Sequence, residues 1–386
     1  MNRRNKSACA AVLMGLSCLA AGSAQADITV GVIISATGPA ASVGVTQQRT
    51  VPLLPKEIGG ERVNYIVLDD ASDTTTTVKQ AKKLISDDKV DVLLGPSLTP
   101  NSLALIDQMA ETGTPMISLA GSGAIVEPVD DKRRWVFKTP QSDGQMARAI
   151  IQHMTSQGIR SVGFISFNDA YGEGWAASFR SLAEQVGIKI VASERYQRTD
   201  TSVTGQTLKL ISANPDAVFI AASGTPAVLP QATLVERGFR KPIYQTHGVA
   251  NNDFLRVGGK NVEGTLLPGG PVLVAEQLPD SHPAKAPSLE FIRLYEALPN
   301  AGMRSTFAAY LWDASLILKA AVPEALKTAK PGAPAFRAAL RDAIEGVKDV
   351  VATNGVYSMS ASDHLGLDSR SRVMIRIENG GWRLVP

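Results

Sequence analysis

The stretch IYQTHGVANNDF, residues 243–254, carries His247, one of only four histidines in a chain of 386 residues. An imidazole can shuttle a proton, ligate a metal, or read a ligand through its ring nitrogens. The first two roles need partners. His153, His282 and His364 stand far from His247 and from one another, without metal-ligand spacing. No G-x-S-x-G, H-E-x-x-H, C-x-x-C or G-x-x-x-x-G-K-[ST] pattern occurs. Gly121-Ser122-Gly123 opens like a dinucleotide fingerprint, but Val126 stands in the place of the third glycine. A triad built from distant residues would leave no local trace, and no serine sits in a recognisable elbow. No catalytic residue, metal site or cofactor site is therefore assigned, and none is expected.

What remains is a series of small polar loops: GPSLTPNS (95–102), SLAGSGA (118–124), FNDAYGEGW (167–175), ASGTPA (222–227) and QTHGVANN (245–252). Each follows a short apolar run and leads toward a helical pattern. Serine and threonine there can simply cap helices. Their hydroxyls and the adjacent amides can also bind an anion such as a carboxylate. Five such loops in one chain favour a cleft, because open parallel sheets bind ligands beyond the carboxyl ends of their strands.

The elements that must position these loops can be read from periodicity. Strands are expected at 28–34, 63–69, 90–94, 115–118, 161–166, 188–193 and 217–222, with a short apolar run at 242–244. A helix is expected at 143–157, where Met146, Ile150 and Met154 recur every fourth residue. Ser142 and Gln145 match a capping box at its start, and Gly158 can close its end. Residues 307–322 are apolar almost all round, which predicts a helix buried between neighbours. Prolines 268, 271, 279 and 283 predict an irregular crossing segment over 267–286, and 354–358 and 371–378 return to strand pattern. Alternation of strand and helix over this length predicts an α/β chain with mainly parallel sheets flanked by helices.

The first 26 residues differ in kind. Arg3, Arg4 and Lys6 precede the apolar stretch ACAAVLMGLSCLAAG and the small-residue site Ala24-Gln25-Ala26. This is the form of a secretory signal peptide, with cleavage expected after Ala26 and export to the periplasm. Lys+Arg then falls from 39 to 36, equal to the 36 Asp+Glu, so a basic nucleic-acid surface is not indicated. Both cysteines, Cys9 and Cys18, lie in the removed segment. The mature chain would hold no disulfide and no thiol chemistry.

At the motifs TGPAASVG (37–44), LDDASDTTTTVKQAKKLISDDKVDVLLGP (68–96), TPMISLAGSGA (114–124), WVFKTPQSDGQMA (135–147), DAYGEGW (169–175), NPDAVFIAASGTP (214–226), IYQTHGVAN (243–251) and NVEGTLL (261–267), the chain resembles the periplasmic solute-binding proteins of ABC importers. The branch is the one that includes the leucine/isoleucine/valine-binding proteins. The resemblance implies a two-lobe type I periplasmic-binding-protein fold with three hinge crossings that closes on its ligand. It implies one lobe of 27–142 plus 272–362 and another of 143–271 plus 363–386. A monomer that delivers its ligand to ABC permease subunits in the inner membrane is expected. Carried over residue by residue, the ligand-carboxylate site falls on Thr99, the main chain at Ala120, and Ser122. The aromatic wall falls on Tyr171. Ser42 and Val43 line the cleft from one side, with Ser223 and Thr225 from the other.

Three departures from the family pattern matter. Ser72 and Leu98 stand where some members have a disulfide, and Pro52 and Pro55 should shorten or kink the first helix. His247 stands where amino-acid binders place the acid that pairs with the ligand's ammonium. A buried ammonium without acceptors is costly, so a ligand without an amine fits better. Val43, where some amino-acid binders have tyrosine, leaves room for a ring. TGPAAS, IYQTHGVANNDFLRVGGK and GPVLVAEQLPDS resemble the branch that binds aromatic acids such as benzoate derivatives. A small, aromatic carboxylate is the expected ligand. An amino acid, or a sensing role for the same fold, is the competing expectation, and His247 could alternatively be a structural residue bonding its own loop.

Overall fold

The computed structural model describes residues 27–385, so the expected signal peptide lies outside the described residues. Two mainly parallel sheets, each flanked by helices, form two lobes. The first sheet contains β1 (Ile28–Ile34), β2 (Glu57–Ile58), β3 (Glu61–Asp69), β4 (Val92–Leu94), β5 (Met116–Ser118) and β6 (Val136–Lys138), in the order β2-β3-β1-β4-β5-β6. Only the β2–β3 pairing is antiparallel.

The second sheet begins with β7 (Ser161–Phe167), β8 (Lys189–Tyr196), β9 (Ala217–Ala221), β10 (Ile243–Gln245) and β11 (Leu266–Gly269). After the ribbon β12 (Val350–Ala352) and β13 (Gly355–Tyr357), β14 (Val373–Glu378) and β15 (Gly381–Leu384) complete it, in the order β15-β14-β11-β10-β9-β7-β8. The strands β7 to β11 run parallel, and β14 and β15 are antiparallel additions.

The parallel parts, β3-β1-β4-β5-β6 and β8-β7-β9-β10-β11, repeat one order. The chain builds one strand outward, then reverses to the other side of the first. Loops leaving the first strand and its later neighbour therefore diverge and open a crevice at the strands' carboxyl ends.

The expected capping box is present: Ser142 accepts from the Gln145 amide, and the Gln145 side chain accepts from the Ser142 amide. The helix Thr306–Leu326 is buried on most of its faces, as its apolar composition requires. The first helix ends at Thr50 and a 3-10 turn follows at Val51–Leu53, beside Pro52.

One expected segment differs. Residues 267–286 are not irregular throughout, because β11 extends through Pro268 to Gly269. β11 pairs with β10 only at Leu266, so Pro268 stands beyond the paired stretch on that side. Only past Gly269 does the chain turn into the 3-10 segment Pro271–Gln277.

Buried polar groups tie the connecting segments together. Gln141 donates to the Ser371 carbonyl at 2.5 Å and accepts from Tyr310 Oη at 3.1 Å. Gln145 donates to the Leu367 carbonyl at 2.6 Å. Asp313, buried in the helix Thr306–Leu326, accepts from Thr353, Asn354 and Tyr357 and so fixes the ribbon.

Candidate functional site

Between the facing carboxyl ends of the two sheets lies a small cavity of about 30 Å³. From the first lobe it is lined by the loops after β4 (Ser97, Leu98, Thr99) and β5 (Leu119, Ala120, Gly121), and by Val43, Pro140, Phe307 and Tyr310. From the second lobe come Tyr171 after β7, Arg198 after β8, Ser223 after β9, and His247 and Gly248 after β10.

The first-lobe loops are held from behind by a buried carboxylate. Asp70 accepts from Ser35 Oγ (2.7 Å), Thr77 Oγ1 (3.0 Å) and Asn101 Nδ2 (2.8 Å). Ser97 Oγ accepts from the Ser35 amide and donates to Gln47 Oε1 at 2.5 Å. This network braces the turn that presents Thr99. Its Oγ1 is buried without a hydrogen-bond partner, an orphan that a ligand oxygen would satisfy. Ser72, at the position of the family cysteine, donates to the Thr37 carbonyl at 2.7 Å and accepts from the Ala40 amide at 3.1 Å.

On the second lobe, Thr246 organises the wall. Its hydroxyl donates to the Ala222 carbonyl (2.6 Å), accepts from the Gly248 amide (3.0 Å) and lies 2.8 Å from Tyr171 Oη. His247 is buried, with its ring centroid 5.8 Å from that of Trp175 and Nδ1 without a partner. Burial, helped by the positive charge of Lys138, pulls the His247 pKa down to about 3. The ring is therefore neutral at physiological pH, with one donor and one acceptor nitrogen.

Of the residues expected at the site, Val43, Thr99, Ala120, Tyr171, Ser223 and His247 meet around the cavity. Ser42, Ser122 and Thr225 stand outside its lining. Ser42 Oγ instead accepts from the Thr225 amide at 3.1 Å, so these two residues touch each other across the lobes. The Ala120 amide donates to Ser118 Oγ at 3.1 Å, so its proton is already engaged within the loop. Ser122 gives its carbonyl to Lys138. Asp169 caps the helix Ala170–Gln185 through the Tyr171 and Gly172 amides and pairs with Arg198.

Arg198, Phe307 and Tyr310 are lining residues that sequence reasoning missed. Arg198 Nε meets Asp169 Oδ2 at 2.6 Å, Nη1 donates to Ser223 Oγ at 3.0 Å, and the guanidinium lies 4.1 Å from the Phe167 ring centroid. The expected strand ended at 193, whereas β8 runs to Tyr196. Continuing the strand through SERY would have put Arg198 at a strand end, where the other loops were found. The apolar pattern of 307–322 predicts only that Phe307 and Tyr310 lie on a buried helix. Their part in the cavity depends on where that helix's first turn lands.

Behind the β5 loop lie two buried titratable groups, Lys138 and Asp143. Lys138 Nζ donates to the carbonyls of Gly121 (2.5 Å) and Ser122 (3.1 Å). Asp143 opens the helix Asp143–Ser156 and lacks a well-formed hydrogen bond at either carboxylate oxygen. Burial pushes Asp143 up to about 7, with Lys138 and the Ser122 hydroxyl pulling the other way. Burial likewise pushes Lys138 down to about 8, against the attraction of Asp143 and Glu127.

Among the described residues no group of three or more His, Cys, Asp or Glu side chains could hold a metal, and no helix is long and apolar enough to cross a membrane. His153 meets Tyr244 Oη at 2.8 Å, and His364 lies between the Val136 carbonyl and Glu345. Neither contributes to the cavity.

Two α/β lobes whose switch points face a shared cavity have the arrangement in which α/β proteins bind small molecules. The chain belongs to the family described as periplasmic binding protein, which it matches over residues 27–375. It is 47% identical to an extracellular ligand-binding receptor from Rhodopseudomonas palustris HaA2, with a TM-score of 0.91 over 94% of this chain and 100% of that one. A Leu/Ile/Val-binding protein homologue from Brucella melitensis is 27% identical over 64% of this chain and 68% of its own length. A solute-binding protein of an R. palustris ABC transporter, solved in complex with benzoate, shares the fold at a TM-score of 0.79 and 20% identity, over 93% of this chain and 95% of that one. These relatives and neighbours are solute-binding proteins, not enzymes.

Proposed function

We propose that this protein is an exported solute-binding protein that captures a small aromatic carboxylate, such as a benzoate derivative, between its lobes and delivers it to an ABC permease. The observation that carries the reading is the charge of the cavity lining: one cation, Arg198, and no carboxylate. No carboxylate of the lining would pair with an ammonium there, Asp169 being held by Arg198, and His247 is neutral. A carboxylate would find the orphan Thr99 hydroxyl and the Arg198 guanidinium.

A ring would pack among Val43, Leu119, Pro140, Tyr171, Phe307 and Tyr310. His247, which can donate or accept, lines the same cavity. The benzoate bound by the R. palustris protein supports the ligand class, and the leader-like first 26 residues support export, with cleavage after Ala26 and action in the periplasm. The lobes we propose as moving bodies are 27–142 with 272–362, and 143–271 with 363–386.

The name of the Brucella relative favours a second reading, a branched-chain amino acid as ligand. A thermal-shift panel on the mature chain separates the two. Benzoate, hydroxybenzoates and cinnamates should raise the melting temperature, whereas leucine, isoleucine and valine should not. A shift with the aliphatic amino acids alone would overturn the aromatic reading.

A further inference from the structure

The positive charge nearest the β5 loop is not in the cavity wall. Lys138 ends β6, is fully buried, and is absent from the lining. It grips the Gly121 and Ser122 carbonyls, which lie in the loop that supplies Leu119, Ala120 and Gly121 to the cavity. Carbonyl oxygens solvate an ammonium but do not neutralise it. In a trans peptide the N–H opposes the C=O, so this grip turns the Ser122 and Gly123 amides away from the lysine, positive ends outward. Arg198, by contrast, is offset by Asp169 at 2.6 Å.

We propose that Lys138 is the fixed counter-charge behind the loop, favouring a ligand carboxylate it never touches, and that Asp143 sets how much of that charge the ligand meets. Lys138 is then a positioning residue, acting through the loop and through its field. The inference rests on the reading of the ligand as a carboxylate.

Other charged or titratable groups face the pair. Glu127 lies beyond the 3-10 turn Gly123–Ile125, and its charge reaches both Lys138 and Asp143. His247 on the β10 loop feels Lys138 but stays neutral above about pH 3. Burial raises the Tyr171 pKa, with the Asp143 charge adding to it, so the phenol stays protonated. His364 accepts the Lys138 amide through its carbonyl, while its ring is engaged by the Val136 carbonyl and Glu345.

Asp143 stands at the same carbonyl as Lys138, its amide donating to the Gly121 oxygen at 3.2 Å. Burial pushes the Asp143 carboxyl up and the Lys138 ammonium down, so the two together lose positive charge as pH rises through the neutral range. An anion bound across the loop favours the protonated pair, so binding takes up protons and affinity falls as pH rises. A benzoate carboxylate, with a pKa of about 4, stays ionised throughout this range.

Titration calorimetry with benzoate and its neutral isostere benzamide tests this. Between pH 6.5 and 9, benzoate affinity should fall about ten-fold or more, with proton uptake visible as a dependence of the measured heat on the buffer, while benzamide binding stays flat. Lys138→Met should weaken benzoate at pH 6.5 by about ten-fold and spare benzamide. The double variant Lys138→Met/Asp143→Asn removes both buried charges. It provides the test if the single variant fails to fold, and its benzoate profile should be flat.

A flat wild-type benzoate profile, a slope shared by benzamide, or a slope that survives in the double variant overturns the inference and leaves the carboxylate reading standing. If benzoate does not bind but leucine does, the aromatic reading fails alone. Leucine then takes benzoate's place from pH 6.5 to 8.5, under the same criteria. Binding of neither overturns both.

Discussion

Thr99 and His247 each bring a polar atom to the cavity wall without a partner, and the consequences differ because one can titrate. An unsatisfied buried hydroxyl costs stability, and replacing it with an apolar group of similar shape is close to neutral. Thr99→Val should therefore leave the melting temperature of the ligand-free protein unchanged or slightly raised. The affinity for the carboxylate should fall about ten-fold or more, since a hydrogen bond to a charged group contributes about 1.5–3 kcal/mol. Unchanged affinity would remove Thr99 from the ligand site.

His247 makes a prediction about stability. Its folded pKa is about 3 against an ordinary 6.5. Between these values the unfolded chain holds a proton there that the folded chain does not, so this stability is lost as pH falls from 6.5 toward 3. Against His247→Gln, which cannot titrate, the wild type should weaken by about 1.4 kcal/mol per pH unit over that range. Urea midpoints at pH 7.5, 5.5 and 4.5 measure the difference. A constant gap would contradict a neutral, buried imidazole.

At the scale of elements, the strand-end loops expected to hold ligand divide into two jobs. Loops after β4, β5, β7, β9 and β10 line the cavity, while Ser42 and, further along the β9 loop, Thr225 meet across the lobes. Gly224, at φ +64°, makes that approach possible: a Cβ there would stand 2.7 Å from Ser42 Oγ. Gly224→Ala should thus disfavour closure. Ligand affinity should drop, and small-angle scattering should show less compaction on adding ligand. Ser42→Gly in the same chain removes the clash but not the backbone strain, so it should recover part of the loss. Full affinity in Gly224→Ala would mean that this contact plays no part in closure. The element scale also explains the missed arginine. Three more residues of β8 carry the loop's start from 194 to 197, and a charged alternation such as SERY at an exposed edge gives little apolar signal to mark where a strand ends.

At the scale of the whole molecule, the proposed function makes ligand binding and lobe closure one equilibrium. A ligand at 100 times its dissociation constant stabilises the bound form by about 2.7 kcal/mol. With an unfolding entropy of about 2 cal/mol/K per residue, this is about 3–4 °C in melting temperature for a chain of this length. The aromatic acids should reach that shift in the panel proposed above.

The α/β class, most of the strands, the capped helix after Ser142, the buried helix near 307–322 and six of the nine expected lining residues were legible in the sequence. Local periodicity, caps and family motifs carry that information in neighbouring residues. Tertiary structure alone decided that Ser42 meets Thr225, that Ser118 occupies the Ala120 amide, and that Arg198, Phe307 and Tyr310 complete the wall. The first and last depend on how two separately wound sheets face one another, which brings together side chains more than a hundred residues apart, and the second on how the chain turns after β5. His247 belongs to both accounts. Its position at a strand end was readable from the chain, and its neutrality comes from burial beside Lys138, which only the folded molecule provides.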